Sequence, residues 1–250
     1  MSAIIEIENL SHRFADGTMG LDHIDLNIEA GDFTVIAGSN GSGKTTLLRH
    51  LNGLLRPDTG EVRVAGVPVL DNLLATRQLV GMVFQDADSQ IIGETVAEDV
   101  AFGPENLKLP REEIERRVDA ALAAVRLENR RHHLPQTLSG GEKRRLAIAG
   151  VLAMHPRILV FDEPFANLDY PGVLQVLEQI VGLHQKGGTV VITTHDLEKV
   201  LAHADRLVFM AAGRVVEDGP PGRVVAGAER FGVRLPCMAQ MGRPVASWLN

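Results

Sequence analysis

Eight consecutive residues, Gly38-Ser39-Asn40-Gly41-Ser42-Gly43-Lys44-Thr45, fit the pattern G-x-x-x-x-G-K-[ST], whose chemistry is the binding of phosphate groups of a nucleoside triphosphate. Glycines at 38, 41 and 43 allow backbone N–H groups to approach phosphate oxygens without interference from Cβ atoms. The helix expected to start after the loop, with Thr46 in its first turn, adds the partial positive charge of its N-terminus. Lys44 supplies a point charge for the β- and γ-phosphates, and the Thr45 hydroxyl is placed to ligate Mg²⁺.

Three further groups of residues could act on a bound phosphate. The run Ile158-Leu159-Val160-Phe161-Asp162-Glu163 reads as a buried strand ending in two carboxylates: Asp162 to hold Mg²⁺, and Glu163 to act as general base on an attacking water. Leu138-Ser139-Gly140-Gly141-Glu142 precedes a helix. Ser139 is its expected N-cap, and the paired glycines present N–H groups that either close the cap or face an anion. His195 follows an apolar strand in Thr193-Thr194-His195-Asp196, and such C-terminal strand ends are where α/β sheets place ligands. The eight other histidines are expected to be structural, with His132-His133 in an exposed loop.

These groups need rigid carriers. Residues 33–37 form a short apolar run with β-branched members, and residues 46–51 have helical composition, giving a strand, a turn and a helix around the phosphate loop. Strands are expected at 4–8, 21–28, 62–66, 80–85, 158–161, 189–194 and 206–210, with a turn at Asp58-Thr59-Gly60 and Gln85 closing the strand that begins at 80. Between 86 and 156 helical texture takes over. Pro110 opens a charged helix whose apolar positions continue to Val125, and a second helix spans about 141–154. The expected organisation is a discontinuous α/β core over 1–85 and 157–219, a helical insertion over 86–156, and a short tail over 220–250. Pro220-Pro221-Gly222 ends the core.

The chain has 250 residues, 45% of them hydrophobic, enough for a sizeable core, and a formal net charge of −7, which argues against a nucleic-acid partner. One cysteine, Cys237, excludes an intramolecular disulfide. The first residues alternate apolar and acidic types rather than forming a signal peptide, and no apolar run approaches the roughly 18 residues of a membrane helix. Any membrane role therefore requires partners.

With these motifs in this order, the sequence resembles the ATP-binding-cassette (ABC) ATPases. The resemblance spans about residues 4–219. Gly38 to Thr45 matches the Walker A loop, Gln85 the Q-loop, Ser139 to Glu142 the L-S-G-G-Q signature with Glu142 in place of glutamine, and 158–163 Walker B. Asp169, in Ala166-Asn167-Leu168-Asp169, matches the D-loop, and His195 the switch histidine. Phe14 falls where the family stacks an aromatic ring on adenine. The fold implied is an α/β phosphate-loop ATPase core, a RecA-like sheet with an antiparallel β subdomain, carrying an inserted α-helical subdomain. The cofactors implied are ATP and Mg²⁺. Lys44, Gln85, Glu163 and His195 are the implied catalytic residues, and Thr45, Gln85 and Asp162 the implied metal ligands. The signature and D-loop residues would contact nucleotide from the opposite subunit of a dimer.

Residues 84–107 resemble the matching segment of energy-coupling-factor (ECF) ATPases, the group serving cobalt, nickel and vitamin uptake. There the segment receives a helix of the transmembrane coupling subunit. Ile91, Ile92, Val96 and Val100 are expected to form its apolar surface, with Glu94, Glu98 and Asp99 as an acidic rim for a basic amphipathic helix. The partners implied are a second ATPase subunit, a transmembrane coupling subunit and a substrate-binding membrane subunit, at the cytoplasmic face of the membrane. Cobalt is the first substrate expected, biotin or another vitamin the second. The tail around 231–236 faintly resembles an ECF segment that pairs subunits. The alternatives are the ATPase of a conventional ABC importer and a non-transport ABC regulator.

Overall fold

The strands that must be buried on both sides are the ones without alternation. Phe33–Ala37, Ile158–Asp162 and Thr189–Thr194 are buried at every position, as the central strands of a parallel sheet covered on both faces must be. The computed structural model describes residues 3–249. In chain order its strands are β1 (Ala3–Arg13), β2 (Met19–Glu29), β3 (Phe33–Ala37), β4 (Thr59–Val64), β5 (Val67–Pro68), β6 (Val80–Val83), β7 (Ile158–Asp162), β8 (Thr189–Thr194), β9 (Arg206–Ala211) and β10 (Arg214–Gly219). Its helices are α1 (Lys44–Leu51), α2 (Leu73–Leu79), α3 (Val96–Asn106), α4 (Arg111–Ala124), α5 (Gly140–Leu152), α6 (Tyr170–Gln185), α7 (Pro221–Val224) and α8 (Cys237–Gln240).

Two sheets form. One has strand order β10-β9-β3-β8-β7-β6, parallel except for β10, and the other is antiparallel with order β2-β1-β4-β5. Side-chain alternation along each parallel strand feeds two separate cores. Ile36, Val160, Val191, Val208 and Met210 face α1 and the antiparallel sheet, packing on Leu47, Leu48, Ile5 and Ile24. Phe33, Val35, Phe161, Ile192 and Phe209 face the other way, against Ile148 of α5, Val176 and Ile180 of α6, and Val224 and Val233 of the C-terminal segment. The mixed α/β fold expected from the sequence is the one observed.

Four details differ from expectation. β6 stops at Val83, so Gln85 sits in a bend beyond the strand. Asp58-Thr59-Gly60 is not a free turn, because β4 already begins at Thr59. α6 and β10 occupy stretches to which the sequence reading assigns no element. The tail does not leave the core at Pro220: Val224, Ala228 and Val233 are fully or almost fully buried in it.

The tail also fastens onto loops at the C-terminal edge of the sheet. Arg234 bridges to Asp196 in parallel β fashion, the Cys237 N–H donates to a Glu198 carboxylate oxygen at 2.8 Å, and Trp248 lies against Tyr170 with ring centroids 5.6 Å apart.

Candidate functional site

β3 delivers the chain to the phosphate loop at the C-terminal edge of the parallel sheet. Gly38 is buried there because the Met210 carbonyl passes directly over it: a Cβ at that position would lie 2.3 Å from the oxygen. Its requirement for glycine is thus packing against β9, not close approach to phosphate. Gly43 caps α1 with φ +104°, a conformation L-residues rarely adopt. No side chain caps the helix and no acidic residue lies in its first turn, so its first N–H groups and positive end point outward uncompensated. Ser42 is buried and its hydroxyl has no partner.

Lys44 curls back over the loop. Its ammonium donates to the carbonyls of Gly38 at 2.8 Å and Ser39 at 3.0 Å and stands 3.8 Å from Glu163 Oε1. Burial pushes its pKa below the ordinary lysine range, opposed by the Glu163 and Asp162 carboxylates.

β7 ends with Asp162 beside α1. The Thr45 hydroxyl donates to Asp162 Oδ2 at 2.8 Å, and the Thr193 hydroxyl to Asp162 Oδ1 at 2.6 Å. Glu163, one residue on, adopts φ +47°, is 8% exposed, and donates its backbone N–H to Thr193 O and Oγ1, both at 3.2 Å. Its carboxylate accepts from His195 Nδ1–H, 3.0 Å from each oxygen. Thr193, two residues before His195, is a residue the sequence reading left without a role, because its contact with Asp162 depends on the register of β7 against β8.

Phe14, Asn40 to Thr46, Gln85, Glu163 and His195 line one cleft of about 500 Å³. Gly38 and Ser39 lie behind it and hold Lys44. Ser139, Gly140, Gly141, Glu142 and Asp169 lie elsewhere, around a second cleft of about 490 Å³. There Ser139 and Glu142 form a reciprocal capping box on α5, with Ser139 N–H donating to Glu142 Oε2 at 2.8 Å and Glu142 N–H to Ser139 Oγ at 3.3 Å. The Ser139 N–H bond, foremost among its contacts, holds the Glu142 carboxyl below the usual carboxylate range. Asp169 caps α6, accepting from Gly172 N–H at 3.0 Å.

The donor chemistry fits a nucleoside triphosphate with Mg²⁺. An uncapped helix N-terminus, a lysine and an unpartnered buried hydroxyl suit phosphate, and the oxygens of Thr45 and Asp162, already adjacent, are the hard ligands Mg²⁺ requires. Gln85 lines the same side, with Thr45 and Asp162.

The family model described as ABC transporter matches residues 21–166 of this chain. The chain belongs to the ABC transporter family. It is 48% identical over 225 residues, covering 89% of this chain and 82% of the relative, to an energy-coupling factor transporter ATP-binding protein of Methanosarcina acetivorans. Its fold is similar to that of cbiO1 from Clostridium perfringens, part of the ABC transporter complex cbiONQ, with TM-score 0.83, 37% identity, and 97% and 99% of the two chains covered. It is also similar to an ATP-binding cassette solved as a dimer in a post-hydrolysis state with ADP and Pi, with TM-score 0.79, 30% identity, and 87% and 98% coverage. This ABC protein is an ATPase, with ATP and Mg²⁺ as its cofactors, and several of its relatives at 40–48% identity are energy-coupling-factor ATPases.

In this ABC ATPase the segment after Gln85 folds differently from its sequence reading. Thr95 and Glu98 build a capping box that starts α3. Val96 and Val100 turn inward and are fully buried, so they are core rather than docking surface. Asp99 is not a rim charge either: it is 8% exposed and its Oδ1 accepts the N–H groups of Ile92 at 2.8 Å and Gly93 at 3.0 Å. The apolar groups left outside are Ile92 and Phe102, 59% and 50% exposed, beside a groove floored by Ala147, Gly150 and Val151 of α5 and by Met154 just after it. His132 and His133 are exposed in a turn, and no helix is long and apolar enough to cross a membrane among the described residues.

Proposed function

We propose that this chain is the ATP-hydrolysing subunit of an energy-coupling-factor-type importer, closing as a homodimer around ATP at the cytoplasmic face of the membrane. The observation that carries this reading is the separation of two half-sites on one chain. The cleft of Phe14, Lys44, Gln85, Glu163 and His195 contains the groups for phosphate binding and water activation, while Ser139, Gly140, Gly141 and Asp169 line a different cleft. A two-fold dimer would bring one half from each copy to each nucleotide.

In this assignment Glu163 is the general base, with His195 holding its carboxylate and standing ready for the γ-phosphate. Lys44 and the loop N–H groups bind phosphate, and Phe14 stacks on adenine. Thr45, Gln85 and Asp162 would hold Mg²⁺, which supplies charge neutralisation on the phosphate oxygens. The groove beside Ile92 and Phe102 receives a helix of the transmembrane subunit. The cargo is a transition-metal ion, cobalt first, or a vitamin such as biotin. This reading rests on the resemblance to the energy-coupling-factor group, because no residue of this chain is assigned a contact with cargo.

The test is co-purification. Expressed in its native membrane background, the tagged chain should bring hydrophobic subunits out of a detergent extract. Vesicles containing the assembly should take up cargo only with ATP and Mg²⁺. A chain that hydrolyses ATP but recovers no membrane subunit sinks the importer assignment.

A further inference from the structure

α5 begins at the capping box of Ser139 and, within its 13 residues, reaches the floor of the Ile92–Phe102 groove, a rod of roughly 20 Å. Part-way along it is a charge that the nucleotide chemistry does not use. Arg144 is 4% exposed, and no carboxylate forms an ion pair with it among the described residues. Its guanidinium donates instead to two successive backbone carbonyls, Nη1 to Phe84 O and Nη2 to Gln85 O, while its Nε–H has no partner. Burial pushes its pKa down, offset in part by the more distant charges of Asp86 and Asp162.

A buried, unpaired cation with an orphaned donor is costly, and an apolar side chain of similar length would avoid that cost. What an apolar side chain cannot do is hold those two carbonyls, since charge-assisted hydrogen bonds are the strong and directional ones. The neighbouring residue adds a second tie at the surface, because Lys143 pairs with Asp88. The bend containing Gln85 has no strand pairing of its own, since β6 ends at Val83. Its other restraints are internal to the segment, with Phe84 N–H donating to Gln90 Oε1 at 3.1 Å and Gln90 Nε2 to Met82 O at 3.0 Å.

We infer that Arg144 is a positioning residue: by fixing the backbone of Phe84 and Gln85 to α5, it sets where Gln85 stands at the Thr45–Asp162 side of the cleft. The inference rests on the reading of Gln85 as a residue of the Mg²⁺ site. Gln85 then follows the helix carrying Ser139, not the sheet carrying Asp162, and its place at the metal depends on how α5 lies against the core.

The experiment uses the full chain as Arg144→Met, which keeps length and removes the charge and donors, with Gln85→Ala and the double variant beside it. Two quantities are read: the Mg²⁺ concentration for half-maximal ATP hydrolysis, and amide hydrogen exchange over residues 82–92 in the protein alone. Arg144→Met should raise the Mg²⁺ requirement at least about fivefold and speed exchange in 82–92 about tenfold, as expected when charge-assisted bonds to a loop are lost. Exchange in β7 should stay as in wild type. Gln85→Ala should shift the Mg²⁺ requirement by itself, and adding Arg144→Met should shift it no further. A shift in Gln85→Ala with wild-type Mg²⁺ dependence in Arg144→Met overturns the inference and leaves the Gln85 reading standing. No shift in Gln85→Ala overturns both. If Arg144→Met does not fold, Arg144→Gln is measured against the same two outcomes.

Discussion

His195 Nδ1 lies 3.0 Å from both carboxylate oxygens of Glu163, and the same carboxylate is 3.8 Å from the Lys44 ammonium. The carboxylate proposed as base is thus fixed between an imidazole just beyond β8 and a cation from α1, which meet only because β3, β8 and β7 are adjacent in the sheet. A carboxylate held this way has few rotamers left, which suits a group that must face one water molecule.

Glu163→Gln keeps the shape and loses the proton acceptor. Turnover should fall at least about 10²-fold, the usual scale for a general base, while ATP still binds. ATP-bound dimers should accumulate and be visible on gel filtration. Turnover near wild type would exclude the role.

The two half-sites predict complementation. Lys44→Ala damages the phosphate cleft of its own chain, and Ser139→Arg blocks the cleft its partner would complete. Each pure variant should be nearly inactive. Mixed in equal amounts and allowed to re-equilibrate, they should recover roughly a quarter of wild-type activity if sites act independently, since half the dimers are mixed and each has one intact site of two. Full activity in pure Ser139→Arg would rule out sharing.

Position within the 84–107 segment decides the outcome of an aspartate scan. Ile92→Asp with Phe102→Asp should leave the melting temperature and basal ATPase near wild type and abolish recovery of the membrane subunit. Val100→Asp should instead unfold the chain, because it buries an unpaired carboxylate at a cost of several kcal/mol. Early melting of the Ile92/Phe102 double variant would show that those side chains are core.

Stability should depend on pH through His50. Its Nδ1–H donates to Thr46 O at 2.8 Å, and its Nε2 is buried without a partner, so protonation would place an unsatisfied charged donor in the core. Burial is the main cause of its lowered pKa, with His12 adding to it and Asp58 opposing. His203 is lowered by burial as well. Below the unfolded value of about 6.5 the unfolded chain binds more protons than the folded one, so stability falls as pH drops through that value and levels off above it. His50 alone gives a slope of at most about 1.4 kcal/mol per pH unit. Urea midpoints from pH 5 to 8 should show this, and His50→Asn should flatten the curve.

What the sequence disclosed was local. Gly38 to Thr45, Ser139 to Glu142 and 158–163 are contiguous, and their chemistry is fixed by residue type at fixed spacing. The long-range contacts were not legible: Thr193 meeting Asp162 needs the register of β7 against β8, and Arg144 reaching Gln85 needs the placement of α5. α3 shows the limit in one element. Val96 and Val100 lie four residues apart on one helical face, but nothing in that spacing says whether the face looks inward. Thr95 and Glu98 stand at capping-box spacing, a start signal the sequence reading passed over. The apolar positions 173, 176, 177, 180 and 181 likewise carried the period of α6, and the sequence reading passed over them.

The φ of +47° at Glu163 sets two selective pressures against each other. A left-handed conformation costs an L-residue about 1–2 kcal/mol, and glycine would escape it. A population selected only for heat resistance would therefore drift toward glycine at this position and arrive at robust, silent protein. With Glu163 as the proposed base, a glutamate there serves turnover at a cost in stability.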